Sequence, residues 1–365
     1  MSARTLDSTP AADGYRMPGE FEPHDGCWMA WPERPDNWRE DAGPAQRAFA
    51  AVAAAIAASE PVTVAASPAQ LERARALLPE SIRVVELATD DAWMRDIGPT
   101  FVTDGRGGRR GVDWRFNAWG GHDGGLYSSW ERDEQAAERV LEIEGAERYR
   151  APLVLEGGSI HVDGEGTVLT TEECLLNPNR NPDLSREQIE RLLLDYLGAE
   201  KVIWLGRGVY GDETDGHVDN LACFAKPGVV LLTWTEDESD PQHAISLDAR
   251  DRLGAATDAR DRPLEVVPLP SPGPLTVSAE EAAGVRPVPG TKPRLAGERM
   301  AASYVNLYIG DSRVVFPTFG VHRDQLARET LESCFPGREV VGVPAREILL
   351  GGGNVHCITQ QVPRA

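Results

Sequence analysis

Positive charge is scarce in this sequence: 37 lysines and arginines stand against 58 aspartates and glutamates, for a net charge of -21. That balance excludes a basic surface able to neutralise phosphates, and with it the usual electrostatic route to nucleic acid. It suits attraction of small cations and, equally, plain solubility, so the acidic surplus informs only where it lines a site. Long apolar runs are also missing. None is long enough to span a bilayer, and the greasiest stretch, Ala48 to Ala58, is nearly all alanine and reads as a helix. The N-terminus has no basic region followed by an apolar core, so no signal peptide is expected and the cytoplasm is the default location. Cysteine is sparse: Cys27, Cys174, Cys223, Cys334 and Cys357 are odd in number, and no pair has C-x-x-C spacing. This argues against a disulfide framework and a zinc ribbon. Cys27, Cys223 and Cys334 lie among apolar neighbours and read as small buried hydrophobes. No H-x-x-x-H or H-E-x-x-H spacing occurs, which leaves a metal-dependent hydrolase built on His24, His122, His161 or His217 without a motif.

What is present is a globular composition, 41% hydrophobic and 26% charged over 365 residues, enough for one large domain or two ordinary ones. Residues 1–16 are polar and read as a loosely held arm before a single domain over 17–365. Beyond the arm one pattern recurs: a strand that begins with polar residues, a tight turn, a second apolar strand, then a helix. The clearest copy is Ser159 to Thr170, turning at Asp163-Gly-Glu-Gly166. Others run from His217 to Phe224 and back through Val229 to Thr233, from Ser303 to Ile309 and back through Val314 to Phe316, and from Ile97 to Thr103 and on near Gly111 to Trp114. Fragments at Cys27–Trp31 and Asn354–Thr359 complete about five units, the fifth split between the chain ends. Helices are expected between them over Pro44–Ser59, Pro68–Leu78, Trp130–Glu144, Ser185–Leu197, Pro241–Leu253 and His322–Cys334, with Ser185 and Gln188 forming a capping box. The Pro- and Gly-rich stretch Leu269–Gly297 reads as a long loop, a lid or a surface insertion.

Polar residues cluster at the strand starts. Asp96 opens one hairpin and Glu156 precedes another; His217 and Asp219 open a third, and Cys357 sits in the closing strand. Units repeated around an axis bring equivalent starts together, so three carboxylates, a histidine and a cysteine would share one pocket. Taken singly, each has a bland reading. His217 and Asp219, two apart on a strand, share a face that can simply be solvated, Asp96 beside Arg95 can be half of an ion pair, and Cys357 can be inert. Gly157-Gly158 and Gly351-Gly-Gly353 are more pointed, because glycines admit close approach of a ligand or a backbone. Together the residues suit a guanidinium: carboxylates bind its N–H edges in bidentate fashion, a thiolate attacks its carbon, and a histidine gives and takes protons. A free cysteine titrates near about 8.5, so a cationic substrate or a protonated His217 would help to ionise Cys357.

The segments Met17-Pro-Gly-Glu-Phe-Glu-Pro-His24, Leu155-Glu-Gly-Gly-Ser-Ile-His161, Thr170-Thr-Glu-Glu-Cys-Leu-Leu-Asn-Pro-Asn-Arg-Asn-Pro182, Gly211-Asp-Glu-Thr-Asp-Gly-His-Val-Asp-Asn220 and Gly351-Gly-Gly-Asn-Val-His-Cys-Ile-Thr-Gln-Gln361 resemble the agmatine deiminases. The likeness runs from about Met17 to Gln361. It implies a hydrolase of the guanidine-modifying superfamily, folded as an α/β-propeller of five ββαβ units with the site on a pseudo-fivefold axis. It implies conversion of agmatine to N-carbamoylputrescine and ammonia, in polyamine and putrescine biosynthesis, without metal or organic cofactor. By the same resemblance Cys357 forms a covalent thiouronium, and His217 is acid and then base. Asp96 and Asp219 hold the guanidinium, Glu156 supports it or orients His217, and Glu213 meets the far amine. Trp93 and Trp119 flank the methylene chain or simply pack. The expected partner is a small cation, with no nucleic acid or membrane, and relatives leave a homo-oligomer open. A bacterial-type peptidyl-arginine deiminase and a non-enzymatic module that binds cationic metabolites are the alternatives.

Overall fold

The computed structural model describes residues 3–365, and it is a mixed α/β protein built from several small sheets. Five of them repeat one pairing scheme, a hairpin whose second strand pairs in parallel with a third strand. Thr100–Thr103 runs antiparallel to Arg109–Arg115, which lies parallel to Glu147–Val154. His161–Val162, Thr167–Thr171 and Lys201–Leu205 repeat this, as do Ala222–Lys226, Val229–Trp234 and Glu265–Pro270. Tyr308–Ile309, Arg313–Thr318 and Glu339–Pro344 make the fourth set. The fifth joins distant parts of the chain: Gln360–Pro363 pairs antiparallel with His24–Ala30, which runs parallel to Val62–Ala66. Parallel neighbours need a crossover, and helices supply it: Ala136–Glu144, Arg186–Leu197, Pro241–Ala255, Arg323–Cys334 and Gly43–Ala57.

The helix Arg186–Leu197 illustrates why these segments fold as they do. Ser185 caps it, accepting the Gln188 N–H while Gln188 Oε1 accepts the Ser185 N–H, so two otherwise orphaned donors are satisfied. Ile189, Leu193 and Leu197, four apart, form the buried face and pack with Val102, Tyr149, Leu153 and Trp204. Each such side chain contributes about 1.5–3 kcal/mol by leaving water. Among the described residues no helix is long and apolar enough to cross a membrane.

Several expectations need correction. The arm over 1–16 is not loose in its described part: Thr5–Leu6 adds a parallel strand to Glu147–Val154, and Thr9 caps the turn Pro10–Asp13. Met1 and Ser2 lie outside the described residues. Asp96, His217 and Asp219 do not begin strands, and Cys357 does not sit in one. Asp96 sits in the one-turn helix Met94–Ile97, Asp219 in Val218–Leu221 with His217 at its N-terminal boundary, and Cys357 in a turn before Gln360. Ser303–Leu307 is likewise irregular, with pairing confined to Tyr308–Ile309. The helix expected from Trp130 begins at Ala136, because Asp133 and Glu134 are drawn away to accept from Asp90 and from Phe116 and Arg150. Cys334 is only partly buried. The stretch 269–297 carries the helix Ala279–Ala283 and the strand Leu275–Thr276, paired with Arg299–Met300.

Candidate active site

In all five units the segment just before the first strand of the hairpin delivers a polar side chain to one buried centre. The contributors are Asp96, Glu156 with Gly157-Gly158, His217 with Asp219, Asn306, and Cys357. Gly158 marks where they meet. A Cβ there would lie 2.5 Å from His217 Nδ1, 2.9 Å from Asp96 Oδ1 and 3.0 Å from Asp219 Oδ2. A Cβ on Gly157 would strike the Arg95 carbonyl at 2.1 Å. The glycine pair thus serves close approach of both backbone and site. Gly353 does the same beside Cys357, where a Cβ would lie 2.5 Å from the Trp93 ring and 3.1 Å from Cys357 Sγ.

Each carboxylate has a distinct set of partners. Glu156 is fully buried; its Oε1 accepts from Arg180 Nε at 2.8 Å, and its Oε2 faces His217 Nε2 at 3.3 Å and the Cys174 thiol at 3.9 Å. Burial raises its pKa, but Arg180 and His217 outweigh that and hold it below the usual range. Asp96 accepts the Gly158 N–H on Oδ1 at 2.8 Å and the Trp119 indole N–H on Oδ2 at 3.0 Å. Its pKa is pushed up to about 6, chiefly by burial, with Asp219 and Glu156 adding and His217 opposing. Asp219 Oδ2 faces His356 Nδ1 at 2.8 Å, whereas its Oδ1, buried, has no hydrogen-bond partner among the described residues. An unpartnered buried carboxylate oxygen is costly unless something arrives to use it.

His217 lies between Glu156 and Asp96, its Nδ1 3.9 Å from Asp96 Oδ2. Burial disfavours its cation, yet Asp96, Cys174 and Glu156 together hold it protonated well above the ordinary histidine range. Cys357, 6% exposed, has its Sγ 3.7 Å from Asp219 Oδ2 and 3.2 Å from Asn306 Nδ2. Burial, then Asp219 and Asp96, push this thiol well above its usual value. Burial and the neighbouring carboxylates thus favour a neutral thiol at Cys357 and a protonated ring at His217.

The two tryptophans line a narrow crevice with Asp91, Tyr127, Arg294 and Gly351. Trp119 is held by the left-handed backbone of Ala118 and Trp119 (φ 54° and 61°), a conformation that costs about 1–3 kcal/mol and aims its N–H at Asp96. Trp93 donates to Asp91 and packs on Trp38. Glu213 stands farther out. Arg294 Nη1 lies 2.5 Å from its Oε2 and Lys292 Nζ 3.3 Å from its Oε1, so two cations of the stretch 269–297 already occupy it. A cleft of about 380 Å³ is walled by Glu213, Arg294, Arg299 and Gly352 but not by Cys357. The stretch reaches the mouth of the site through Arg294, which also bonds the Gly351 carbonyl and Asn37.

Arg180, Asn306, Cys174, Glu20 and His356 join the site although sequence reasoning did not single them out. Only Asn306 carried a usable signal, as the polar residue at the start of the fourth repeat. The histidines weighed as metal ligands do not share one site: His24 lies with Glu60 and Asp311, and exposed His122 packs on Trp130. Glu156, Cys174 and His217, and separately Glu20, His161 and His356, do bring donor atoms together. In the first set Arg180 and His217 already engage the carboxylate, and in the second His356 does.

Cys357 Sγ beside Asp219, and His217 between Asp96 and Glu156, form a buried thiol–imidazole–carboxylate site of the kind a cysteine hydrolase of planar cations needs. The chain belongs to the Porphyromonas-type peptidyl-arginine deiminase family, whose sequence profile matches residues 16–363. It is 59% identical over 358 residues to a protein of Pseudomonas aeruginosa (strain LESB58) named agmatine deiminase, covering 98% of this chain and 97% of the other. A protein of the same name from Ectopseudomonas mendocina is 58% identical over 361 residues, 98% of each chain. A solved structure described as the agmatine deiminase of Enterococcus faecalis catalysing its reaction superposes with a TM-score of 0.97 at 49% identity, covering all of both chains.

Proposed function

We propose that this chain is an agmatine deiminase, hydrolysing agmatine to N-carbamoylputrescine and ammonia through a covalent intermediate on Cys357. The observation that carries the reading is the meeting of Asp96, His217 and Asp219 around Gly158, with Cys357 Sγ beside Asp219. A guanidinium entering there finds the open Oδ1 of Asp219 on one side and Asp96 on the other, and charge-assisted bonds to both fix its plane. Its positive charge also reverses the local field, so the thiol that the two carboxylates suppress gives up its proton to solvent when the cation arrives, His217 being already protonated.

The thiolate attacks the guanidinium carbon to form a tetrahedral adduct. The C–N bond to one terminal nitrogen breaks, and that nitrogen leaves as ammonia with a proton from His217. The resulting thiouronium is attacked by water, whose proton passes to the now neutral His217. Collapse breaks the C–S bond, the remaining hydroxyl proton passes to the Cys357 sulfur, and a urea carbonyl is left. Glu156, its other oxygen taken by Arg180, orients His217 and does not hold substrate. Trp93 and Trp119 flank the methylene chain, and Glu213 receives the distal ammonium once Arg294 yields it.

The same reading takes residues 17–365 as one domain, arranged as a five-bladed α/β-propeller of the guanidine-modifying superfamily. Five sheets with one pairing scheme, each sending a side chain to the same centre, support that arrangement. We place the enzyme in the cytoplasm, acting on a small cation, with a homo-oligomer as the form to test. Polypeptide arginine is the competing substrate, and the burial of Cys357 favours the smaller one.

The test is release of ammonia from agmatine and from a peptidyl arginine by the wild type and by Cys357→Ala and Cys357→Ser. The expected result is turnover of agmatine alone, with both variants folded and inactive. Variants that retain substantial activity would make Cys357 structural, and an inert wild type would remove the substrate assignment.

A further inference from the structure

Behind the site lies a second buried network that the reaction above leaves unused. His356 precedes the nucleophile, and both of its ring nitrogens face carboxylates: Nδ1 is 2.8 Å from Asp219 Oδ2, and Nε2 is 2.8 Å from Glu20 Oε2. A neutral imidazole has one N–H and can donate to only one of these. Glu20 is itself fixed, accepting the Ile309 N–H on Oε1 at 3.0 Å. His161 receives the Phe224 N–H on Nδ1, which leaves its own proton on Nε2, 3.7 Å from Glu20 Oε2.

We propose that His356 is a permanent imidazolium that positions Asp219, taking one carboxylate oxygen so that the other is left open for the guanidinium, and balancing the charge beside Cys357. This deepens the deiminase reading and rests on it. The oxygen that His356 holds is the one 3.7 Å from Cys357 Sγ, so the thiolate forms next to an anion already paired with a cation. The unpartnered Oδ1 of Asp219 is the complementary observation.

The groups facing His356 come from every element around it: Glu20 from the N-terminal segment, Arg95 from the turn Met94–Ile97, His161 from its strand, Asp219 from Val218–Leu221, and Cys357 next in sequence. Burial and the Arg95 guanidinium oppose a charged ring. Glu20 and Asp219 outweigh them, and the ring keeps its proton above the usual histidine range. Asp219 in turn is held below the carboxylate range, against burial, first by its bond to His356.

Two variants test this with two readouts. In Glu20→Gln the ring loses one of its two carboxylates, so His356 is expected to give up its proton at a lower pH. The basic limb of kcat/KM for agmatine should move down by about one to three pH units, with activity recovered on acidification. In His356→Gln the amide can still bond Asp219 but carries no charge. KM should rise by roughly tenfold or more, and alkylation of Cys357 by iodoacetamide, without substrate, should require a higher pH than in the wild type. A Glu20→Gln profile that keeps its shape and only scales, or a His356→Gln protein whose alkylation profile matches the wild type, would overturn the proposal. Alkylation needs no agmatine. An inert wild type with a shifted His356→Gln profile would therefore retire the substrate and leave His356 standing, whereas an active wild type with unshifted profiles would do the reverse.

Discussion

Replacing Gly158 by alanine adds one methyl group at the point where the site residues meet. The new Cβ would sit 2.5 Å from His217 Nδ1, inside the 3.4 Å at which ordinary contact begins, and 2.9 and 3.0 Å from Asp96 and Asp219. His217 must then retreat by nearly 1 Å, but Glu156 backs it at 3.3 Å and is itself pinned by Arg180. Overpacking of this kind costs about 1–3 kcal/mol, less than the roughly 5–15 kcal/mol that holds a typical domain, so the variant should fold with a lowered Tm. Displacing a proton-transfer group by about 1 Å typically costs on the order of 100-fold in rate. The expected outcome is a kcat for ammonia release down about 100-fold or more, measured at saturating agmatine beside a thermal melt. Gly254→Ala is the control. Open space surrounds Gly254 in the helix Pro241–Ala255, so that change should leave kcat alone and stabilise the fold by about 0.5–1 kcal/mol. A Gly158→Ala enzyme within threefold of wild type would show that His217 does not need its present place.

Arg180→Met removes the buried cation on Glu156 and should cost about 3–5 kcal/mol; adding Glu156→Gln should restore part of the lost Tm, and failure to do so would argue against the pairing. The pH dependence follows from Asp96, which must be ionised to hold the guanidinium. With its pKa near 6, kcat/KM should fall as pH drops through about 6, and a profile flat down to pH 5 would contradict this. Stability runs the other way. The folded carboxyl holds its proton above the unfolded value of about 3.9, so its stabilising contribution is present at acid pH and is lost as pH rises through about 6. Glu213→Gln should raise KM for agmatine several-fold with little change in kcat, and an unchanged KM would remove Glu213 from the amine end.

The repeat was legible in the sequence because hairpin turns and alternating strands leave a periodic trace, and the polar strand starts followed from it. The one-turn helices that hold Asp96 and Asp219 were not, since four residues are too few to show a helical period. His217 and Asp219 were expected to share a strand face, yet they reach the centre from a helix boundary and its first turn. Arg180 and Glu20 stayed hidden for a different reason. A charged residue that is buried because a partner waits for it looks, in one dimension, like any surface charge. The ion pairs of Glu213 with Lys292 and Arg294 likewise join residues about eighty positions apart, and no spacing rule connects them.

The sheet that pairs Gln360–Pro363 with His24–Ala30 sets an order of events during synthesis. Strand His24–Ala30 leaves the ribosome early, can pair at once with Val62–Ala66, and then waits with one edge bare until residues 360–363 emerge. An exposed edge invites pairing with other chains, and contacts this distant in sequence form slowly. Cys357 lies three residues before the strand that closes the edge. A chain that ends short of residue 357 would therefore lack the proposed nucleophile and also leave this edge of His24–Ala30 unpaired.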